Sequence, residues 1–161
     1  REDQGRIEPV DLNETARAAF NIVRGELVTR RIEVDLRLAA GAVAVRGDPV
    51  QLLQVVLNLL MNAMDAVGGD GRGRIAIETQ AEPGVVRLVI TDNGPGIGAT
   101  GAGELVQPFV TTKPQGLGLG LSICTSILSS HGGALVLASG PAGGAVATVT
   151  LPAVEMRAAA E

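Results

Sequence analysis

Asn58, Asn62 and Asp65, with Gln51 and Gln54 before them, recur at three- and four-residue spacing inside an otherwise apolar run from Asp48 to Val67. Positions three and four apart share one face of a helix, so these side chains form a polar stripe. Such a stripe is ordinarily a wet outer face. This one, however, consists of amides and one carboxylate rather than the Lys, Glu and Arg of a solvated surface. Carboxamide and carboxylate oxygens suit a hard cation such as magnesium, which usually arrives with phosphates. The stripe alone does not choose between the two.

Two further stretches carry chemistry. Gly116, Gly118 and Gly120 alternate with leucines in GLGLGLS, directly ahead of a helical pattern. Glycines let backbone N–H groups close around an anion, and a helix N-terminus adds its dipole. Lys113, the lysine of the chain, stands just before them with Thr111 and Thr112. A lysine is a point-charge partner for phosphate. The spacing is not that of a P-loop, and a loop rather than a strand precedes it, which argues against a dinucleotide fingerprint. Alternate glycines serve close helix packing as readily, and a loop lysine is as often merely solvated. Asp92-Asn93-Gly94-Pro95-Gly96 follows an alternating strand. A plain turn is the simplest reading of it. The chemical reading is a carboxylate at a pocket floor, accepting a hydrogen bond from an exocyclic amine such as that of adenine.

The elements that must position these groups follow from periodicity. A helix is predicted over about 14–30, with Ala16, Ala19, Phe20, Val23 and Leu27 on one face and Asp11 or Asn13 as its cap. A half-buried strand follows over 32–38, and a turn with a short strand over 41–46. The striped helix is capped by Asp48, has Pro49 at its first position and stops at Gly68-Gly69. Strands over 74–80 and 85–91 form a hairpin at Pro83-Gly84. The stretch 98–116 has little periodicity, and a loop this long in a compact domain is usually functional. A helix over 118–131 and strands over 134–139 and 145–151 complete the chain. The predicted class is α+β: a two-layer sandwich of one mixed, mainly antiparallel sheet with helices on one face.

Composition narrows the function. The chain has 161 residues, 46% of them apolar, with two Phe and no Tyr or Trp, so it holds one domain with an aliphatic core. A net charge of −4 without a basic block disfavours nucleic acid and anionic membranes. No apolar run is expected to span a bilayer, and no signal-peptide pattern opens the chain. The one cysteine, Cys124, reads as a small buried thiol.

These stretches stand in an order that resembles the catalytic ATP-binding domain of sensor histidine kinases, in the GHKL superfamily that also holds the gyrase and mismatch-repair ATPases. The resemblance runs from Pro9 to Pro152. NLLMNAMDA (Asn58 to Ala66) is similar to the N box, DNGPGI (Asp92 to Ile97) to the G1 box, PFVTTK (Pro108 to Lys113) to the F box, and GLGLGLS (Gly116 to Ser122) to the G2 box. Asp65 and the Thr-Thr-Lys resemble the nitrogen-, oxygen- and C4-dicarboxylate-responsive kinases. The resemblance implies a Bergerat-type ATP-binding fold over 9–153 with an ATP lid over 98–116, a linker over 1–8 and a tail over 154–161.

It also implies ATP and Mg2+ as cofactors and a role for each matching residue. Asn62, with Asn58 beside it, would ligand magnesium; Asn58 and Lys113 would be catalytic. Asp92 would bind the adenine amine, with Gly94, Gly96 and Ile97 lining the base pocket. Lys113, Thr111, Thr112 and the run Gly116, Leu117, Gly118, Leu119, Gly120 and Leu121 would hold the phosphates. Phe109 would anchor the lid, and Asp65 and Thr148 would also lie at the nucleotide. Three places depart from the family pattern: the glycine-rich GATGAG (Gly98 to Gly103), Gln107, and Ala145 where a threonine is frequent.

In gyrase-like ATPases the place of Asn58 carries a glutamate that activates water, and a carboxamide cannot act as a general base. The resemblance therefore implies phosphoryl transfer to a histidine rather than hydrolysis. The one histidine, His131, is expected to end a helix and favour its dipole. The phosphoacceptor helical hairpin, which also dimerises, is thus expected upstream of a monomeric, cytoplasmic catalytic piece that does not itself contact the membrane, with a response regulator downstream. The rival readings are a nucleotide-binding module without transfer, a slow ATPase of the same superfamily, and an anti-sigma type serine kinase.

Overall fold

The computed structural model describes residues 6–68, 70–95, 117–140 and 143–154; for 117–119 it describes backbone only. The elements in chain order are β1 (Glu8–Asp11), α1 (Leu12–Thr29), β2 (Glu33–Arg37), β3 (Ala44–Gly47), α2 (Pro49–Val67), β4 (Arg74–Glu82), β5 (Val85–Asp92), α3 (Leu117–Ser130), β6 (Ala134–Ser139) and β7 (Ala145–Pro152). A five-stranded sheet runs in the order β2-β4-β5-β7-β6. The β2–β4 pair is parallel and the other pairs are antiparallel. The α+β expectation holds. One element goes beyond it: β1 and β3 form a separate antiparallel ribbon, Glu8 opposite Gly47 and Asp11 opposite Ala44.

Alternation along the strands sets the layers. Ile75, Ile77, Val86, Leu88, Ile90, Ala147, Val149 and Leu151 are buried under the helices. Their neighbours face the other way, where Arg37 pairs with Glu78 and Arg87 with Glu82. The helix α2 lies between α1 and α3 and over β4 and β5. Its capping follows the expectation: Asp48 Oδ1 accepts from the N–H of Val50 at 2.9 Å and of Gln51 at 3.4 Å. For α1 the cap is Asp11, whose Oδ1 takes the N–H of Asn13 at 3.0 Å and also that of Val43 at 3.1 Å, tying the helix start to the ribbon.

By length and composition α2 is apolar enough to cross a membrane, contrary to the expectation that no run is. Its packing is that of a core helix: Leu52, Val55, Val56, Leu59, Leu60, Ala63 and Met64 are buried against the sheet and the flanking helices. Being the middle helix of a three-helix layer explains both properties, since such a helix has little surface left for charge.

Buried polar groups pin the connection between β2 and β3. Asn13 and Thr79 are only 3% and 4% exposed. Asn13 Nδ2 donates to the carbonyls of Ala39 and Gly41 at 2.9 and 3.1 Å. Thr79 Oγ1 donates to Asn13 Oδ1 at 2.5 Å and accepts from the Ala39 N–H at 2.8 Å. Every polar atom of the pair is used, as burial in low dielectric requires.

Candidate nucleotide site at one end of the helix layer

Two contacts fix how α3 lies on α2. His131, just past the end of α3, accepts at Nε2 the N–H of Asp48, at the start of α2, over 3.1 Å. Cys124, in the middle of α3, meets Asn58 and Val55 in the middle of α2. The helices are therefore antiparallel. The N-terminus of α3, which carries Gly118 and Gly120, lies toward the C-terminal half of α2, which carries Asn62 and Ala66.

The strand end reaches the same place. Asp92 closes β5 with its side chain 7% exposed on the helix side. Its Oδ1 accepts the N–H of Gly94 at 2.8 Å and of Ala145 at 3.3 Å. Any Cβ on Gly94 would stand 2.6 Å from the Ala66 carbonyl oxygen, so this glycine is what lets the turn close on α2. Gly144 has φ +82, and a Cβ there would overlap the Asp92 carbonyl. Asn93 completes the turn: its Oδ1 accepts the Arg74 N–H at 2.9 Å and its Nδ2 donates to the Arg72 carbonyl at 3.0 Å. The carboxylate is thus held by its own turn, by β7 and, through Asn93, by β4.

Asn58 and Asn62 are half-buried, whereas Gln54 and Asp65 of the same stripe are exposed. The stripe divides at the residues that face α3. Asn58 Nδ2 donates to Cys124 Sγ over 3.8 Å, and Cys124 Sγ donates to the Val55 carbonyl over 3.8 Å. The thiol is buried, which pushes its pKa up to about 11 despite the Asn58 contact, so it is protonated at neutral pH. For Gly120, a Cβ would meet nothing within 4 Å among the described residues. Close packing among the described residues thus gives no reason for this glycine.

Two expected site residues are not gathered here. Asp65 Oδ1 accepts from Nη1 of Arg30, just past the end of α1, at 3.1 Å. Thr148 pairs with Val89 and Val136 on the sheet face away from the helices. Gly96, Ile97, Phe109, Thr111, Thr112, Lys113 and Gly116 lie outside the described residues, as do the side chains of Leu117 and Leu119; Gly118 is described by its backbone in α3, and Leu121 is buried in the core. His131 stands at the end of α3 as expected, and its ring also reaches α2. Nε2 accepts the Asp48 N–H, and Nδ1 lies 2.8 Å from the Ile127 carbonyl oxygen, so the ring is a clamp between α3 and α2. Cys124 and Asn93 are contributors that spacing alone did not single out.

The donor set limits what can bind. Among the described residues no three His, Cys, Asp or Glu side chains could hold a metal. Two neutral amides suit only a cation that brings phosphate oxygens with it. The geometry therefore fits a nucleotide: a held carboxylate for a base, amide oxygens along α2, and a helix N-terminus. A cavity of about 460 Å³ opens on the other sheet face, lined by Glu33, Arg37, Arg74 and Thr91, and it reaches the same strand end at Asp92 and Asn93.

Comparison with known proteins agrees. The family model described as "Histidine kinase-, DNA gyrase B-, and HSP90-like ATPase" matches residues 47–155. The C4-dicarboxylate transport sensor protein DctB of Rhizobium meliloti (strain 1021) is 37% identical over 135 residues, 84% of this chain and 22% of that protein. The chain thus spans about a fifth of that relative's length. The structure of the mycobacterial sensor histidine kinase MprB is 33% identical with a TM-score of 0.76, covering 94% of this chain and all of that one. The catalytic domain of histidine kinase ThkA is 30% identical with a TM-score of 0.78, covering 91% and 95%. A second ThkA structure, in complex with the response regulator protein TrrA, is 27% identical with a TM-score of 0.76 and covers 94% of this chain and 43% of that one. The chain belongs to the histidine kinase-, DNA gyrase B- and HSP90-like ATPase family and, within it, to the ATP-binding catalytic domains of sensor histidine kinases.

Proposed function

We propose that this chain binds Mg-ATP and delivers its γ-phosphoryl group to a histidine on a separate helical hairpin domain, in two-component signalling to a response regulator. The observation that carries this reading is Asn58. It stands half-buried on α2, facing α3, where a hydrolytic relative needs a carboxylate. An amide can orient and ligate, but it cannot take a proton from water. The γ-phosphoryl group then waits for a better nucleophile. In the transfer the terminal P–O bond of ATP breaks, a P–N bond forms to the imidazole, ADP leaves and the imidazole loses its proton.

The chain's own residues bind and orient. Asp92 accepts the adenine amine; Gly94 permits the turn that presents it, and Gly96 and Ile97 continue the base pocket. Asn58 and Asn62 would hold magnesium, whose chemistry when bound is neutralisation of phosphate charge. Lys113 and the backbone from Gly116 to Gly120 would hold the phosphates, and 98–116 would act as the lid with Phe109 as its anchor, as the family resemblance implies. Catalysis is then positioning and charge neutralisation rather than covalent chemistry.

The acceptor comes from elsewhere, because both nitrogens of His131 are committed to the clamp. The resemblance supplies the class of acceptor, a helical hairpin that also dimerises the kinase; the catalytic part, over 9–153, would itself be monomeric. The response regulator in the ThkA complex supports a regulator as the downstream partner. We place the reaction on the cytoplasmic side, where ATP is.

Incubation with γ-labelled ATP and a histidine-bearing hairpin from a related kinase tests the reading. Acid-labile, base-stable label on the hairpin is expected, with little free phosphate when the hairpin is left out. Rapid multiple-turnover phosphate release without any acceptor would contradict it.

A further inference from the structure

Asparagine amides are ambiguous: the oxygen and nitrogen ends are nearly the same size, and the surroundings decide which end points where. Among the described residues, the partner that Asn58 meets is the Cys124 sulfur. The Cys124 sulfur is 3.8 Å from Asn58 Nδ2 and 3.8 Å from the Val55 carbonyl oxygen, one turn back on the same helix. The carbonyl can only accept, so it takes the S–H. What the thiol then offers Asn58 is a lone pair, and only the NH2 end of the amide can use it. The carbonyl end is left to point away from Cys124.

We propose that Cys124 is a positioning residue that fixes the Asn58 amide with Oδ1 presented to the metal and phosphates. The inference rests on the reading of Asn58 as a magnesium ligand and deepens it. Its consequence is a coupling between two parts of the site. Cys124 lies one turn after Gly120 on the same face of α3. The helix that starts at the phosphate cradle therefore also sets the amide, and a shift of α3 along α2 would disturb both. The thiol is fully buried, so water cannot substitute for it.

The test compares wild type with Cys124→Val, which is slightly larger and has no polar atom, Cys124→Ser, which keeps a donor and an acceptor, and Asn58→Ala. Affinity for a non-hydrolysable ATP analogue is measured by calorimetry in EDTA and in saturating Mg2+, and the ratio is the readout. Loss of one buried hydrogen bond predicts that Cys124→Val loses about three- to tenfold of the Mg2+ gain. Its EDTA affinity should stay within about twofold of wild type, as the base pocket is untouched. Cys124→Ser should keep the gain, and the Asn58 side-chain NH2 resonances should move in the valine variant and stay near their place in the serine variant. If valine proves too disruptive to fold, Cys124→Ala takes its place.

A full Mg2+ gain in Cys124→Val, with the gain lost in Asn58→Ala, would overturn the positioning role and leave the metal reading standing. Equal losses in the valine and serine variants would also overturn it, since packing would then be the cause. A full Mg2+ gain in Asn58→Ala would overturn the metal reading and the proposal with it.

Discussion

Gly144 shows how little freedom the site has at the level of single residues. Its φ of +82 strains any other residue, and the nearest atom to a new Cβ is the Asp92 backbone oxygen, which cannot yield without moving the carboxylate. Gly144→Ala is expected to cost about 2–4 kcal/mol in urea denaturation, combining strain and overlap. Nucleotide affinity should fall further than stability alone explains. Cys124 makes a second residue-scale prediction. Its pKa is raised from 9.0 to about 11 in the folded state, so folding favours the protonated thiol. Its stabilising contribution is complete below pH 9 and is lost as pH rises through 11, because the unfolded chain gives up that proton first. Two units correspond to about 1–3 kcal/mol. With no Tyr and a single lysine, few other groups titrate there. The fall in melting temperature between pH 9 and 11 should flatten in Cys124→Ser; an unchanged slope would assign it elsewhere.

Much of the residue-scale picture was legible in the chain. The amide stripe, Asp92 and its glycines, and the cap at Asp48 all follow from residue types at fixed offsets. Thr148 was open to correction from the sequence itself: in Ala147-Thr148-Val149-Thr150-Leu151 the alternation already gives the threonines to the wet face. Asp65 was not, because its partner Arg30 lies just past the end of another helix and no spacing rule reaches it. The same holds for Cys124 and Asn58.

Elements were visible wherever period and punctuation agreed, and their ends moved by a residue or two. The β1–β3 ribbon was not visible as a pair. Its strands are four residues each and are joined only across α1 and β2, so nothing local marks the partner. What holds that region is the Asn13–Thr79 pair. Asn13→Ala leaves the carbonyls of Ala39 and Gly41 without a donor, and Thr79→Val leaves the Ala39 N–H without an acceptor. Each is expected to cost about 1–3 kcal/mol. Since the second change removes partners already broken by the first, the double variant should fall short of the sum by about 0.5–3 kcal/mol. Additive losses in denaturant melts would mean the two side chains act independently.

At the scale of the whole molecule, function follows from one helix layer on one side of a sheet. An aliphatic core fixes α2 between its neighbours, and α2 carries both seven buried core residues and the amides of the proposed site. The antiparallel crossing of α2 and α3, clamped by His131 at one end and Cys124 in the middle, leaves the other end for ligand. The carboxylate, the amides and the helix start of the proposed site all lie within a chain that covers 22% of a relative's length.

The most direct measurement is calorimetric titration of a non-hydrolysable ATP analogue into the wild-type chain and Asp92→Asn, with Mg2+ present. The carboxamide keeps the hydrogen bonds from Gly94 and Ala145 but turns part of the base-facing edge from acceptor to donor. Micromolar binding by wild type that weakens at least about tenfold in the variant, at unchanged melting temperature, is the predicted result. Equal affinity in the two proteins, or none in either, would contradict a nucleotide site built around Asp92.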